Sequence, residues 1–142
     1  MKNTVKRIGF AVLMTVIALS TLYLAGCKDD DGGGVDTALN GTWFDSGNNM
    51  EVKFNNGSFE ATGQAKGTYT ASGGNFTSTV THLNGTLFGA GSKWYTKAEL
   101  QSYGADTYFA PLTGTYTVSG NTLTMTFNSG MFNGQTFNFT KN

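Results

Sequence analysis

Gly114-Thr115-Tyr116-Thr117-Val118-Ser119-Gly120-Asn121-Thr122-Leu123-Thr124-Met125-Thr126-Phe127 reads as a strand, a tight turn and a second strand. Leu123, Met125 and Phe127 alternate with Thr122, Thr124 and Thr126, so one face of the second arm is apolar and the other carries hydroxyls. Strict alternation of this kind has the period of a strand with one buried face, not that of a helix. Ser119-Gly120-Asn121 supplies the small, turn-tolerant residues that a hairpin needs between the arms.

The same unit recurs upstream. Gly67-Thr68-Tyr69-Thr70 runs through Ser72-Gly73-Gly74-Asn75 into Phe76-Thr77-Ser78-Thr79, and Gly41-Thr42-Trp43 opens an earlier unit. Met50, Val52 and Phe54 alternate with Glu51 and Lys53 ahead of the turn Asn55-Asn56-Gly57, and Phe137 and Phe139 alternate with Thr136, Asn138 and Thr140. The units start 26 and then 47 residues apart, and the extra length falls in one insertion around residues 89–111. Successive short antiparallel strands must hide both their apolar faces and their edges, which closure into a barrel achieves. The expected fold is all-β: a small up-and-down antiparallel barrel of eight or nine strands over residues 41–142. The outward residues are Thr, Glu, Lys and Asn, which excludes a lipid-facing wall of the kind a membrane pore requires.

The other end of the chain has a different character. Lys2, Lys6 and Arg7 precede an apolar run from Ile8 to Leu19, and small residues follow it. This is the layout of a secretory signal, which would enter the membrane as a helix. Leu24-Ala25-Gly26-Cys27, at the end of the run, resembles the lipobox of bacterial lipoproteins. The resemblance implies cleavage after residue 26 and a diacylglyceryl group on Cys27, with acylation of the new amino terminus. Two or more acyl chains give a stable anchor where one holds only marginally. Residues 1–26 are thus expected to be a signal peptide, and residues 27–40 a lipidated flexible tether containing Lys28-Asp29-Asp30-Asp31-Gly32-Gly33-Gly34. Lys28, rather than an aspartate, follows the cysteine. By resemblance to lipoprotein sorting this points to the outer membrane of the cell envelope.

Of the 142 residues, 116 would remain after cleavage, with six basic side chains against nine acidic ones and a net charge of −3. That length suits one domain. The charge balance argues against nucleic acid, whose binding rests on clustered Lys and Arg. Cys27 is the sole cysteine, so stability must come from packing without disulfides.

Gly41-Thr42-Trp43 also resembles the Gly-x-Trp opening of the lipocalin and calycin barrels. In that family the Trp closes one barrel end beneath a basic side chain from the last strand. The resemblance assigns these structural roles to Trp43 and Lys141, although lipocalins carry a helix after the last strand and this chain ends at Asn142. The insertion gathers Trp94, Tyr95, Tyr103, Tyr108 and Phe109 as candidate contacts to a ligand or partner. Within it Thr96-Lys97-Ala98-Glu99 has the form of a capping box, predicting a short helix over residues 97–102. Two readings of this insertion stand side by side: a lid over the barrel mouth, and a plug filling it.

The inventory for catalysis is thin. His82 is the only histidine, which rules out a His pair at a metal, and no Gly-x-Ser-x-Gly elbow accompanies it. Glu51 and Glu60 lie on neighbouring strands but on the outward face, where they read as surface charge. The expectation is a non-catalytic protein with no cofactor and no metal, its membrane contact made through the lipid on Cys27. A binding module for a small apolar ligand is one function that fits. A protein-interaction module, an adhesin or enzyme inhibitor with a fully packed barrel, is the other.

Overall fold

The structure, a computed structural model, describes residues 34–142. The expected signal peptide and its helix, the lipobox residues, Cys27 and the first half of the tether lie outside the described residues.

Among the described residues nine strands follow in chain order: β1 (Gly41–Asp45), β2 (Met50–Asn55), β3 (Ser58–Ala61), β4 (Ala65–Ser72), β5 (Asn75–Asn84), β6 (Trp94–Thr96), β7 (Leu112–Ser119), β8 (Thr122–Phe127) and β9 (Thr136–Lys141). Every strand pairing is antiparallel. Their spatial order is β4-β3-β2-β1-β9-β8-β7-β5, and β5 returns to pair with β4, so eight strands close a barrel. The ninth, β6, pairs only with the far end of β5, from His82 to Asn84. All strands and both apolar clusters fall within one compact unit, Asp31–Asn142.

The period-two pattern sets the inside and the outside. Val52 and Phe54, Tyr69 and Ala71, Leu123 and Met125, and Phe137 and Phe139 are buried, while Lys53, Thr70 and Asn138 between them are exposed. At the β2–β3 turn Asn56 and Gly57 both take positive φ, 43° and 88°, as the favoured two-residue hairpin turn demands.

The glycines that open the second and third repeat units have a different task. Gly67 and Gly114 are both buried on the inner face, two residues before Tyr69 and Tyr116. A side chain at Gly67 would run into the Thr79 carbonyl of β5, and one at Gly114 into the Thr126 carbonyl of β8. At both points adjacent strands approach too closely for a Cβ. The register slips by one residue between Lys66 and Gly67. Glycine at a bend of this kind lets a small barrel turn its corner.

The repeat also explains how one end is shut. Its third residues, Trp43, Tyr69 and Tyr116, all point inward with a polar atom toward the same end. There they meet residues 34–40. Trp43 Nε1 donates to the Leu39 carbonyl at 2.7 Å, the Tyr116 hydroxyl to Asp36 Oδ2 at 2.6 Å, and the Tyr69 hydroxyl to Asn40 Oδ1 at 3.4 Å. Val35 forms a parallel bridge with Ala71, and Leu39, in the short 3-10 helix Thr37–Leu39, is wholly buried. The stretch expected to be a free spacer as far as Asn40 is, from residue 34 on, the stopper of the barrel. The cause is Leu39, one apolar side chain that fills the space over Trp43. Burial pushes the Tyr69 phenol above its ordinary range, partly offset by the Gly57 backbone, and the nearby Asp36 carboxylate raises it further.

The helix expected over residues 97–102 forms differently. The capping-box bonds are made, yet the chain passes through a turn at residues 97–100 into two 3-10 helices, Gln101–Tyr103 and Ala105–Phe109. Gly104 in the left-handed region (φ 68°) ends the first of them and separates the two. So short a segment has too few turns to repay α-helix nucleation.

Candidate functional site

The turns β2–β3, β4–β5 and β7–β8 lie at the stoppered end, while the insertion and the β8–β9 connection lie at the other. At that second end the wall is interrupted. β7 pairs with β5 only as far as Ser78, and along that edge β5 is next paired by β6 from His82 on, while β4 holds its other edge through Leu83. The insertion covers part of the gap: Leu100, Ala105 and Phe109 are buried against Val80 and Leu83. The rest stays open. Behind the opening lies a cavity of about 300 Å³ inside the barrel.

The cavity walls are rings and aliphatic chains from nearly every barrel strand. Phe54, Phe76, Phe127 and Phe137 meet edge to face, with centroids 5.7–6.3 Å apart along the chain Phe54–Phe76–Phe127–Phe137. No charged side chain lines it; Gln64 at the rim and Ser78 within carry its polar side-chain groups beside the Tyr108 hydroxyl. The rim is apolar and wet at once. Leu87, Tyr108 and Met131 line the cavity and are 47%, 36% and 40% exposed. Tyr108 sits on the helix Ala105–Phe109, which touches the 3-10 helix Gly130–Phe132 that carries Met131. The mouth is framed by two irregular segments from distant parts of the chain.

Of the candidate contact residues, Tyr108 alone lines the cavity. Phe109 is buried behind it in the second apolar cluster. Tyr95 is half-buried, with its hydroxyl donating to the Ala90 carbonyl at 3.0 Å and Lys93 Nζ 5.1 Å from its ring centre. Trp94 is half-buried with Lys66 Nζ 4.6 Å from its ring. Tyr103 is exposed away from the mouth, 57% of its surface accessible. The insertion is therefore plug and rim together: Leu100, Ala105 and Phe109 fill space, while Leu87 just before it and Tyr108 near its end border the opening. Trp43 and Lys141 are brought together at the stoppered end, directly paired between β1 and β9, with Nζ 5.0 Å from the ring centre.

The groups weighed for catalysis are dispersed. His82 lies at the edge of an open groove on the outer wall, Nδ1 3.0 Å from the Thr81 hydroxyl. Glu51 accepts from Thr62 Oγ1 at 3.0 Å and lies 3.5 Å from Lys53 Nζ, while Glu60 stands in register between Lys53 and Lys66. Among the described residues no group of three His, Cys, Asp or Glu could hold a metal, and no helix is long and apolar enough to cross a membrane.

Residues 96–99 form the best-defined polar cluster of the insertion. Glu99 Oε2 accepts from the Thr96 amide at 2.8 Å and the Thr96 hydroxyl at 2.9 Å, and Oε1 lies 3.6 Å from Lys93 Nζ. The Thr96 amide, then its hydroxyl, and more weakly Lys93 hold the Glu99 carboxyl below the usual range. A depressed carboxylate pKa ties the fold to the ionised form. What it contributes is fully present above the ordinary Glu pKa and is lost as pH falls through the lowered value. In an NMR titration Glu99 should therefore protonate below the ordinary range of a free glutamate, with the Thr96 amide shift moving in step. A Glu99 midpoint at or above the ordinary glutamate value would remove the capping interaction from the solution structure.

Comparison with protein families, with curated proteins and with solved structures finds no match. The class defined by fold and site is a closed eight-stranded antiparallel barrel, stoppered at one end and holding an apolar cavity open at the other.

Proposed function

We propose that the protein is a lipid-anchored, non-catalytic binding module of the bacterial cell envelope that carries a small apolar ligand in its barrel. The observation that carries this reading is the open cavity of about 300 Å³ with exposed Leu87, Tyr108 and Met131 around its mouth. Small-molecule sites span roughly 300–1,000 Å³ and are mostly apolar with few polar groups, so the volume suits a compact ligand. Exposed apolar side chains concentrated at a cavity mouth, rather than scattered, are what such a site needs to admit an apolar guest. The Gly-x-Trp opening and the Trp43–Lys141 pair support a lipocalin-like relationship. The lipobox supports attachment through Cys27, with the outer membrane as the expected location. A packed interaction module is disfavoured by the same cavity, which a protein-only role leaves unexplained.

Filling the cavity tests the reading. Val80 lines it, and Val80→Trp should leave little room for a guest. Organic extracts of the full chain, purified from the cells that make it, should contain a small molecule in near-stoichiometric amount. Extracts of the Val80→Trp protein should lack it while retaining the lipids of the anchor. Identical extracts from the two proteins would reject a carried ligand.

A further inference from the structure

Three polar side chains are buried among the described residues, Asp45, Ser78 and Asn84. Two serve the backbone around them. Asp45 accepts from the amides of Gly47 and Asn48 and from the Asn48 side chain, and Asn84 accepts from the amide and hydroxyl of Thr86. Ser78 is different. It is 3% exposed, and among the described residues no side chain or backbone group hydrogen-bonds its hydroxyl. Nor is the oxygen sealed in protein, since among the described residues no buried side-chain oxygen or nitrogen without contact to open space lacks a partner. Ser78 lines the cavity, and the space its hydroxyl meets is the cavity interior.

Its position is specific. On β5 the inward positions run Phe76, Ser78, Val80, so the hydroxyl interrupts an apolar row midway along the strand. Its cross-strand neighbours are Tyr69 on β4 and Leu112 on β7, at the last residue pair of the β5–β7 ladder. A hydroxyl held in an apolar interior without a partner is destabilising, and an alanine of nearly the same size would avoid the penalty. A functional reason for the serine is a hydrogen bond made by a guest.

Resting on the ligand-binding reading above, we infer that Ser78 is the polar anchor of the cavity and that the ligand is an uncharged apolar molecule bearing one hydrogen-bonding oxygen. The polar end enters first and meets Ser78, and the hydrocarbon part lies between the phenylalanine walls and the rim of Leu87, Tyr108 and Met131. The absence of Lys, Arg or His from the lining sets the charge state: an ionised carboxylate at that depth would be desolvated without a counter-ion. Alcohols and ketones with a short hydrocarbon body fit, and free fatty acids in their ionised form do not.

The test uses 1-octanol, n-octane and octanoate at pH 8 as probes, with binding to residues 31–142 measured by headspace chromatography for the two volatile probes and calorimetry for octanoate. These residues contain the whole barrel and its stopper. Ser78→Ala should weaken 1-octanol about three- to tenfold, the worth of one net hydrogen bond, and leave n-octane unchanged. Ser78→Thr, which keeps the hydroxyl, should restore much of the alcohol binding, and octanoate should bind at least about tenfold more weakly than 1-octanol. If Ser78→Ala shifts octanol and octane equally, or shifts neither, the anchor role is overturned while the cavity keeps its ligand. If the wild-type domain binds none of the three, both this inference and the proposed function fall.

Discussion

Trp43→Ala is expected to lower the unfolding free energy by about 3–5 kcal/mol, measured by urea denaturation of residues 31–142. Trp43 has no exposed surface, packs in the main cluster with Leu39, and bonds through Nε1 to the Leu39 carbonyl. Truncation removes the ring, opens a void at the stoppered end and leaves that carbonyl without its donor. Domains of this size are stable by only about 5–15 kcal/mol, so a large share of the fold hangs on one side chain. Lys141→Ala should cost under about 1 kcal/mol, because the ammonium over the ring is exposed to solvent. Leu39→Ala should cost about 2–5 kcal/mol, although Leu39 precedes every strand. If Leu39→Ala proves neutral while Trp43→Ala does not, residues 34–40 are a loose covering and the stopper is Trp43 alone.

That contrast marks where the sequence is legible. Met50, Val52 and Phe54, or Leu123 and Met125, declare their side of the sheet because a strand reverses its face at every residue, so burial is a local signal. The turn at Asn56-Gly57 is local in the same way. Glu99 reaching back to Thr96 was readable, since a capping box spans four residues; whether an α-helix follows was not, because that depends on packing and on Gly104. The stopper was illegible for a different reason. Asp36 meets Tyr116 across 80 positions, and a polar, glycine-bearing segment with one leucine looks like a spacer until the barrel end it caps exists.

The site follows the same division. Tyr108 stood out as part of an aromatic cluster, yet Leu87 and Met131 lie in irregular segments with no period to assign them a side. They reach one rim only because β5 outruns its pairing with β7 and two distant connections fold over the gap. Ser78 was within reach of sequence reasoning. Once Phe76 and Val80 are taken as inward, Ser78 between them is inward too, and a hydroxyl in an apolar row is the kind of local inconsistency that functional positions produce. Trp94, Tyr95 and Tyr103 were grouped with Tyr108 by composition, but β6 and the turns after it send them elsewhere.

Gly114→Ala tests the meaning of the repeat itself. The added methyl would meet the Thr126 carbonyl and lie 3.0 Å from Phe127 Cα, both backbone atoms of the neighbouring strand that no side-chain rotation can move. Relief requires β7 and β8 to separate where Gly114 pairs with Phe127, and so flattens the bend that closes the barrel. The expected loss is about 2–4 kcal/mol. Gly120→Ala in the same hairpin is the control. Gly120 has a φ of 56° and nothing within 4 Å of an added Cβ, so its cost is the left-handed backbone penalty alone, about 1–2 kcal/mol. The two unfolding transitions separate two explanations of a recurring Gly-Thr-aromatic unit. If Gly114→Ala costs no more than Gly120→Ala, the glycine is an ordinary strand residue and the bend is imposed by the turns. If it costs clearly more, the unit is a closure device: glycine brings the neighbouring backbone in, and the aromatic two residues later fills the space that the curvature encloses.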